Sequence, residues 1–416
     1  MTDVTPQDPD DTSFPRNRIK VLLLENIHTS ASEQIEAQGF CLETMKSALS
    51  EDELLVKIPQ VHVLGIRSKT QVTARVLQEA KRLLTVGCFC IGTNQVDLDA
   101  ANRCGVPVFN APFSNTRSVA ELVVAEVIAL ARQLFDRARE MHEGRWRKIS
   151  TDSFEIRGKT LGIIGYGHIG TQVGILAEML GMQVIFHDIV PRLPMGNNRP
   201  VGSLEELLHN ADFVSLHVPA TPQTRNMLGH REIQVMKKGA YLLNLSRGSV
   251  IDIAALSAAL QSHHLGGAAL DVFPDEPDSN TDQFVSAMQN KSNVILSPHV
   301  GGSTEEAQAS IGREVTTALA KFVNSGATTG SVNFPRIEPP ELKHRHRILN
   351  VHRNVPGVLS NINKIVSDIH ANIESQTLAT DPNIGYLVMD LNREVSDEVK
   401  TQVAKLETSI RTRVLY

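Results

Sequence analysis

The run Leu161-Gly162-Ile163-Ile164-Gly165-Tyr166-Gly167-His168-Ile169-Gly170 carries glycines spaced G-x-G-x-x-G, after a short apolar stretch and before a helix-like segment. In that context backbone amides and a helix N-terminus can face a pyrophosphate, so the run predicts a dinucleotide site. The next apolar run, Gln183-Val184-Ile185-Phe186-His187-Asp188, ends on an acid. A carboxylate there accepts hydrogen bonds from the adenosine ribose hydroxyls and repels a 2′-phosphate, which favours NAD over NADP. The plainer reading of Asp188 is a cap on a strand-to-loop turn, and Arg192 close behind leaves some room for NADP. The fingerprint lies mid-chain, which implies that another unit folds from the residues before it.

Outward from the fingerprint, short apolar runs alternate with amphipathic segments. Ile19 to Leu24, Val61 to Ile66, Leu83 to Val86 and Val106 to Phe109 read as buried strands, with helices such as Thr73 to Leu83 and Asp97 to Arg103 between them. A long helical stretch from about Ser118 to His142 ends at Gly144 and leads into the Rossmann-like unit. That unit continues through Ala211 to His217, Ala240 to Leu245, Ala268 to Phe273 and Val294 to Ser297, with its crevice expected at the strand C-termini. A second long helix, from Glu305 to about Asn324, is expected to carry the chain back to the first unit, which Ser331 to Phe334 closes. Pro335 to Pro340 and the basic His344 to Arg347 read as a linker. From Ile348 the order strand, helix, strand, strand, helix, strand predicts a separate ferredoxin-like βαββαβ module.

The expected fold class is therefore α/β, with two doubly wound parallel-sheet domains and this terminal module. The expected boundaries are a disordered tail over 1–18, a discontinuous substrate domain over 19–114 and 305–335, and an inserted nucleotide domain over 115–304. A linker over 336–347 and the terminal module over 348–416 complete the chain.

Composition agrees with a globular protein: of 416 residues, 41% are hydrophobic and 21% charged. A net charge of −5 provides no electrostatic case for nucleic acid or an anionic membrane. Cys41, Cys88, Cys90 and Cys104 have neither zinc-ligand spacing nor the density of a disulfide scaffold, so reduced thiols and a cytoplasmic location are expected. Met1 to Arg18 lacks the apolar core of a signal peptide, and no stretch is long enough to span a bilayer. The pairs His263-His264 and His344/His346 lack carboxylate or cysteine partners, so no metal is expected. The apolar stripe in Val119 to Leu134 reads as helix packing at a domain or subunit interface.

Three residues after predicted strands can do chemistry beside a nicotinamide. Arg247, in Asn244-Leu245-Ser246-Arg247-Gly248, can pair bidentately with a carboxylate and stabilise charge on a carbonyl oxygen. His299, in Ser297-Pro298-His299-Val300-Gly301-Gly302-Ser303-Thr304, suits proton exchange with an alcohol, having an ordinary pKa of about 6.5. Glu276, in Asp271-Val272-Phe273-Pro274-Asp275-Glu276-Pro277, can orient that imidazole and favour its charged form. Taken singly, each is more often a structural residue than a catalytic one.

In this order after the fingerprint, the three residues resemble the D-isomer-specific 2-hydroxyacid dehydrogenase family, over nearly the whole chain. The resemblance implies that Arg247 binds substrate, that His299 is the acid/base and that Glu276 is its partner. It also implies that Gly165, Gly167, His168, Ile169, Gly170, Asp188, Leu245, Ser246, Arg247, Asp271, His299, Gly301 and Gly302 line NAD. Gly87 to Asp97 and Asn110 to Glu121 resemble family members acting on 3-phospho-D-glycerate at the entry to L-serine biosynthesis. On that likeness Lys46, Arg67, Ser68, Asn115 and Lys148 contact the phosphorylated substrate.

The terminal module resembles an ACT domain, which implies amino-acid binding between paired copies, with L-serine the expected effector at His352, Asn354 and Asn372. Asn354-Val355-Pro356-Gly357 is also a good turn on local grounds alone. A homotetramer is expected, because the core domains and the module each offer a pairing surface. Two rivals remain at this point: a dehydrogenase for an unphosphorylated acid such as glycerate, lactate or 2-hydroxyglutarate, and an NAD-sensing binding protein without turnover.

Overall fold

A computed structural model describes residues 13–277, 282–341, 345–392 and 396–416. The chain divides into two compact units, one of residues up to Ser114 and from Gln308 onward, the other of Asn115–Ala307.

The first unit contains a parallel sheet of β1 (Lys20–Leu23), β2 (Cys41–Thr44), β3 (Val63–Ile66), β4 (Thr85–Cys88) and β5 (Val108–Phe109), ordered β2-β1-β3-β4-β5. Because side chains alternate along a strand, Leu22, Leu24 and Leu64 pack with Leu54, Ile58 and Val76 on one face, and Val21, Leu23 and Val63 pack with Ile311, Val315 and Leu319 on the other. β2 is absent from the expected strands. It is an exposed edge whose Cys-Leu-Glu-Thr sequence has no apolar run, and only its pairing with β1 defines it. Ser331 forms an antiparallel bridge to Phe109. At the start of the described chain, Arg16–Arg18 make one 3-10 turn and Phe14 faces His62 at 5.8 Å between ring centroids. The remainder of the expected tail, residues 1–12, lies outside the described residues.

The same unit carries the C-terminal antiparallel sheet of β13 (His346–Arg353), β14 (Ile373–Thr380), β15 (Ile384–Leu391) and β16 (Ser409–Leu415), ordered β14-β15-β13-β16. Helices Val358–Asp368 and Ser396–Ala404 complete the βαββαβ order and cover one face through Ile348, Leu387 and Met389. The opposite face, with Leu349, Val351 and Tyr386, joins Ile19, Phe40 and Phe334 in one core.

Of the expected linker over 336–347, residues 342–344, His344 among them, lie outside the described residues, and His346 and Arg347 belong to the module's own first strand. Arg347 is wholly buried in β13, with Nε and Nη2 donating to Asp390 on β15 at 2.6 and 2.9 Å. A basic run ordinarily signals solvent, but a neighbouring strand here supplies the matching carboxylate. Arg347 Nη1, Tyr386 Oη and Arg413 Nη2 also donate to the carbonyls of Ser325, Gly326 and Val323, at the C-terminal end of the helix Glu305–Ser325. They satisfy carbonyls that a helix end leaves unpaired, and the two arginines put positive charge at its negative pole.

The second unit holds β6 (Thr160–Ile164), β7 (Gln183–His187), β8 (Arg199–Pro200), β9 (Phe213–Leu216), β10 (Ala240–Asn244), β11 (Leu265–Leu270) and β12 (Val294–Leu296) in one parallel sheet, ordered β12-β11-β10-β9-β6-β7-β8. The strand order reverses between β6 and β9, the topological switch point at which α/β sheets bind ligands. The long helix expected over Ser118 to His142 is in fact two, Thr116–Arg132 and Leu134–His142. The chain breaks at Gln133, which adopts left-handed φ 51° while its side chain donates to the Asp152 carbonyl. With neither glycine nor proline at the break, the local sequence carries no signal of it.

Candidate active site

Within the second unit, β6 ends at Ile164 and the fingerprint turns into the helix His168–Met179, with Gly167 at its N-cap. A Cβ on Gly170 would lie 2.3 Å from the Gly165 carbonyl oxygen, so only glycine lets the helix lie this close to the turn. At Gly167 nothing lies within 4 Å of where a Cβ would stand, so the start of the helix has room beside it for a phosphate. His168 is exposed and Ile169 half-exposed at that helix start.

Asp188, just past β7, does cap its own turn, with Oδ1 accepting the Val190 amide at 2.9 Å. Its Oδ2 accepts the amide of Tyr166 in the fingerprint, also at 2.9 Å, so the acid is held beside the glycine turn. Arg192 Nε lies 3.3 Å from Oδ2, which engages the one nearby cation considered for a 2′-phosphate. These features fit NAD: a glycine turn with room beside a helix N-terminus, and an adjacent carboxylate for the ribose hydroxyls.

The catalytic candidates come from three neighbouring strand ends. After β10, the Asn244 side chain accepts Ser246 N and Oγ and donates to the Arg247 carbonyl, bracing the turn that presents Arg247. Leu245 and Ser246 are buried and Arg247 is half-buried. A Cβ on Gly248 would fall 2.0 Å from the Phe273 carbonyl, so the turn after β10 is pressed against the segment leading to Glu276. Beyond β12, His299 adopts φ 55°, a strained conformation for a non-glycine residue. Asp271, fully buried after β11, holds both sides of that strain: it accepts Ser297 Oγ at 2.6 Å, Val300 N at 2.9 Å and Gly301 N at 2.8 Å.

The ring so positioned meets Glu276, with Nδ1 2.8 Å from Oε2, while Glu276 Oε1 accepts the Phe273 amide at 3.1 Å. The hydrogen bond to Glu276 raises the His299 pKa above its usual 6.5, against burial, with help from the Glu276 and Asp271 charges. Burial works against the Glu276 carboxylate, but the bonds from His299 and the Phe273 amide and the charges of His299 and Arg247 together lower its pKa. The result is a carboxylate-oriented imidazole with Nε2 available to a substrate.

Two further residues at this site went unread in the sequence. Glu126, on the inner face of the helix Thr116–Arg132, is 3% exposed, and burial followed by the Asp271 charge pushes its pKa up to about 8. His217 follows β9, its carbonyl 2.6 Å from where a Gly165 Cβ would lie and its Nε2 2.9 Å from Ser215 Oγ. Burial pushes its pKa down to about 3, so it is neutral. An acid on a helix stripe and a histidine at a strand end carry no motif. Only the packing brings them to the site.

Of the phosphate candidates, Lys46, Arg67 and Ser68 belong to the first unit, and Asn115, Lys148 and Arg247 to the second. Lys46, Ser68 and Lys148 are exposed, and Arg67 is half-buried. Asn115 is 7% exposed and packs its amide against Gly302, while its Oδ1 accepts no bond among the described residues. Of the effector candidates, Asn354 is exposed and donates to the Asp381 carbonyl at 2.7 Å, and Asn372 is also exposed. His352 is instead 3% exposed, with Nδ1 2.9 Å from Asn350 Oδ1, and burial lowers its pKa. No hydrogen bond joins the three effector candidates among the described residues.

Comparison with known proteins agrees with this geometry. Residues 124–301 match the D-isomer specific 2-hydroxyacid dehydrogenase NAD binding domain, and residues 348–411 match an ACT domain like that of the AHAS small subunit. The chain is 55% identical over 405 residues to D-3-phosphoglycerate dehydrogenase of Dictyostelium discoideum, covering 97% of this chain and 99% of that one. It is 49% identical over 405 residues to the enzyme of the same name from Haemophilus influenzae, with the same coverage. Among solved structures, D-lactate dehydrogenase of Aquifex aeolicus, complexed with NAD and lactic acid, superimposes with a TM-score of 0.67 at 27% identity, covering 76% of this chain and 99% of that one. An NAD cradle, the Arg247, Glu276 and His299 set and a terminal ACT domain, together with this identity over nearly the full length, mean that the chain belongs to the D-isomer specific 2-hydroxyacid dehydrogenase family, among the D-3-phosphoglycerate dehydrogenases.

Proposed function

We propose that the chain oxidises 3-phospho-D-glycerate to 3-phosphohydroxypyruvate with NAD, the first step of L-serine biosynthesis. The observation that carries the chemistry is the His299–Glu276 pair at 2.8 Å, in the same unit as the fingerprint and Arg247. His299 gives its Nδ1 proton to the hydrogen bond with Glu276 and presents Nε2 to the C2 hydroxyl, whose proton it accepts. Glu276 orients the ring and stabilises the imidazolium that results. Arg247 pairs with the substrate carboxylate and the forming carbonyl oxygen, where a bidentate cation is most effective. NAD, held by the Gly165–Gly170 turn, Asp188, Leu245, Ser246, Asp271, Gly301 and Gly302, supplies the hydride acceptor when bound. Lys46, Arg67, Ser68, Asn115 and Lys148 take the phosphate, and its two negative charges account for so many donors. The other half of the reading is regulatory: L-serine bound at the ACT domain through Asn354, Asn372 and His352 inhibits a cytoplasmic homotetramer.

The names of the relatives disfavour an unphosphorylated substrate, and the intact acid/base set disfavours a binding protein without turnover. NADH formation from 3-phospho-D-glycerate, compared with D-glycerate, D-lactate and D-2-hydroxyglutarate and repeated with L-serine, tests each part. Preference for 3-phospho-D-glycerate and inhibition by serine that Asn354→Ala weakens are expected. Binding of NADH without turnover of any of the four would refute the enzymatic reading.

A further inference from the structure

Glu25 follows β1 at the C-terminal edge of the first unit's sheet, where Leu24 N still pairs with the Gly65 carbonyl of the neighbouring strand at 2.9 Å. Glu25 and Asn26 then both turn left-handed, with φ 63° and 51°. Two successive non-glycine residues in this region are uncommon and persist only where the surroundings hold them. The surroundings are specific. The amides of Glu25 and Asn26 donate to the carbonyls of Ser47 and Met45, each at 3.2 Å, which are the two residues flanking Lys46. The Glu25 side chain, in a residue only 8% exposed, reaches the loop after β3. Its Oε1 accepts the amides of Arg67 at 3.2 Å and Thr70 at 2.9 Å, and its Oε2 those of Ser68 and Lys69, both at 3.0 Å.

Four consecutive backbone amides converging on one point form an anion-binding concavity of the kind that elsewhere takes a phosphate. Here the chain's own carboxylate fills it and uses its full accepting capacity, two bonds to each oxygen. An anionic substrate at this edge is therefore met by the side chains of Arg67 and Ser68, on a loop whose backbone is already fixed.

We infer that Glu25 is the positioning residue of the phosphate end of the site: its backbone sets the Lys46 segment, its carboxylate sets the Arg67–Ser68 loop, and it touches no substrate itself. The inference rests on the assignment above of Lys46, Arg67 and Ser68 to the substrate phosphate. Glu25→Gln keeps the shape but sets an NH₂ against two of the four amides, donor against donor, and so loosens the loop without altering the catalytic set.

The test is steady-state kinetics of the full-length enzyme with 3-phospho-D-glycerate and with D-glycerate, alongside thermal melts, for wild type, Glu25→Gln and Glu25→Asp. Glu25→Gln is expected to raise KM for 3-phospho-D-glycerate about tenfold or more, with kcat within about threefold and KM for NAD unchanged. Its kcat/KM for D-glycerate stays within about twofold, because that substrate has no phosphate to place. Glu25→Asp, which keeps both oxygens on a shorter stem, falls between. A folded Glu25→Gln enzyme with unchanged KM, or with equal losses on both substrates, overturns the inference. If Glu25→Gln does not fold, Glu25→Asp is judged by the same two criteria. Wild type that fails to turn over 3-phospho-D-glycerate defeats the substrate assignment itself, a result distinct from an active wild type with an unaltered Glu25→Gln.

Discussion

His299 Nδ1 lies 2.8 Å from Glu276 Oε2 even though the His299 backbone is held at φ 55°, and that contact sets a carboxylate against the ring. The oxidation proposed above requires the neutral ring. Because the His299 pKa is raised, the acid limb of kcat/KM for oxidation is expected above the usual histidine value of 6.5, while reduction of the keto acid is favoured below it. Glu276→Gln removes the charge that raises it and weakens the bond to a neutral one, so the acid limb moves to lower pH as kcat falls. A pH–rate profile that does not move would refute the pairing. The linked stability has the same sign: a histidine raised on folding contributes stability below its unfolded pKa that is lost as pH rises through the folded value.

Arg247→Lys keeps the charge but loses the planar fork, so kcat/KM for 3-phospho-D-glycerate is expected to fall roughly 100- to 1,000-fold. NADH affinity measured by fluorescence should change far less. Comparable losses in both would make Arg247 a structural residue of the turn.

Asp188→Ser removes the carboxylate that accepts the Tyr166 and Val190 amides, and with it the charge expected to face the ribose. NAD affinity should weaken by about tenfold or more, and discrimination against NADP should narrow, because the repulsion of a 2′-phosphate is gone. Isothermal titration with both cofactors measures this directly.

Glu126 has a folded pKa of about 8 against an ordinary 4.5, so the folded state binds the extra proton between those values. Stability therefore declines as pH rises through that window, by an amount on the order of several kcal/mol. Glu126→Gln mimics the protonated acid and should flatten the decline and raise Tm near pH 8. Parallel wild-type and variant curves in thermal melts from pH 5 to 9 would exclude it.

Asp390→Ala leaves the Arg347 guanidinium buried without its carboxylate, at an expected cost of about 3–5 kcal/mol, whereas replacing both members by apolar residues of similar size should cost much less. Chemical denaturation of the single and double variants decides between a pair that is needed as a pair and one that only fills space.

Periodicity and spacing were enough to read much of this protein. Buried parallel strands are near-continuous apolar runs, so β1, β3, β4 and the core strands of the second unit were legible, as were the glycine turn and the order of Arg247, Glu276 and His299. Those signals are local: they depend on backbone sterics and on side chains close in sequence. Tertiary structure alone decided the rest. β2 exists because β1 pairs with it, the helix break at Gln133 is stabilised by a carbonyl nineteen residues on, and Arg347 is buried because Asp390 on another strand receives it. Glu25 is the sharpest case, an acid after a strand whose four amide partners lie more than forty residues away. Desolvation and hydrogen-bond satisfaction act through space, so what a charged residue does is settled by the partners that folding brings to it.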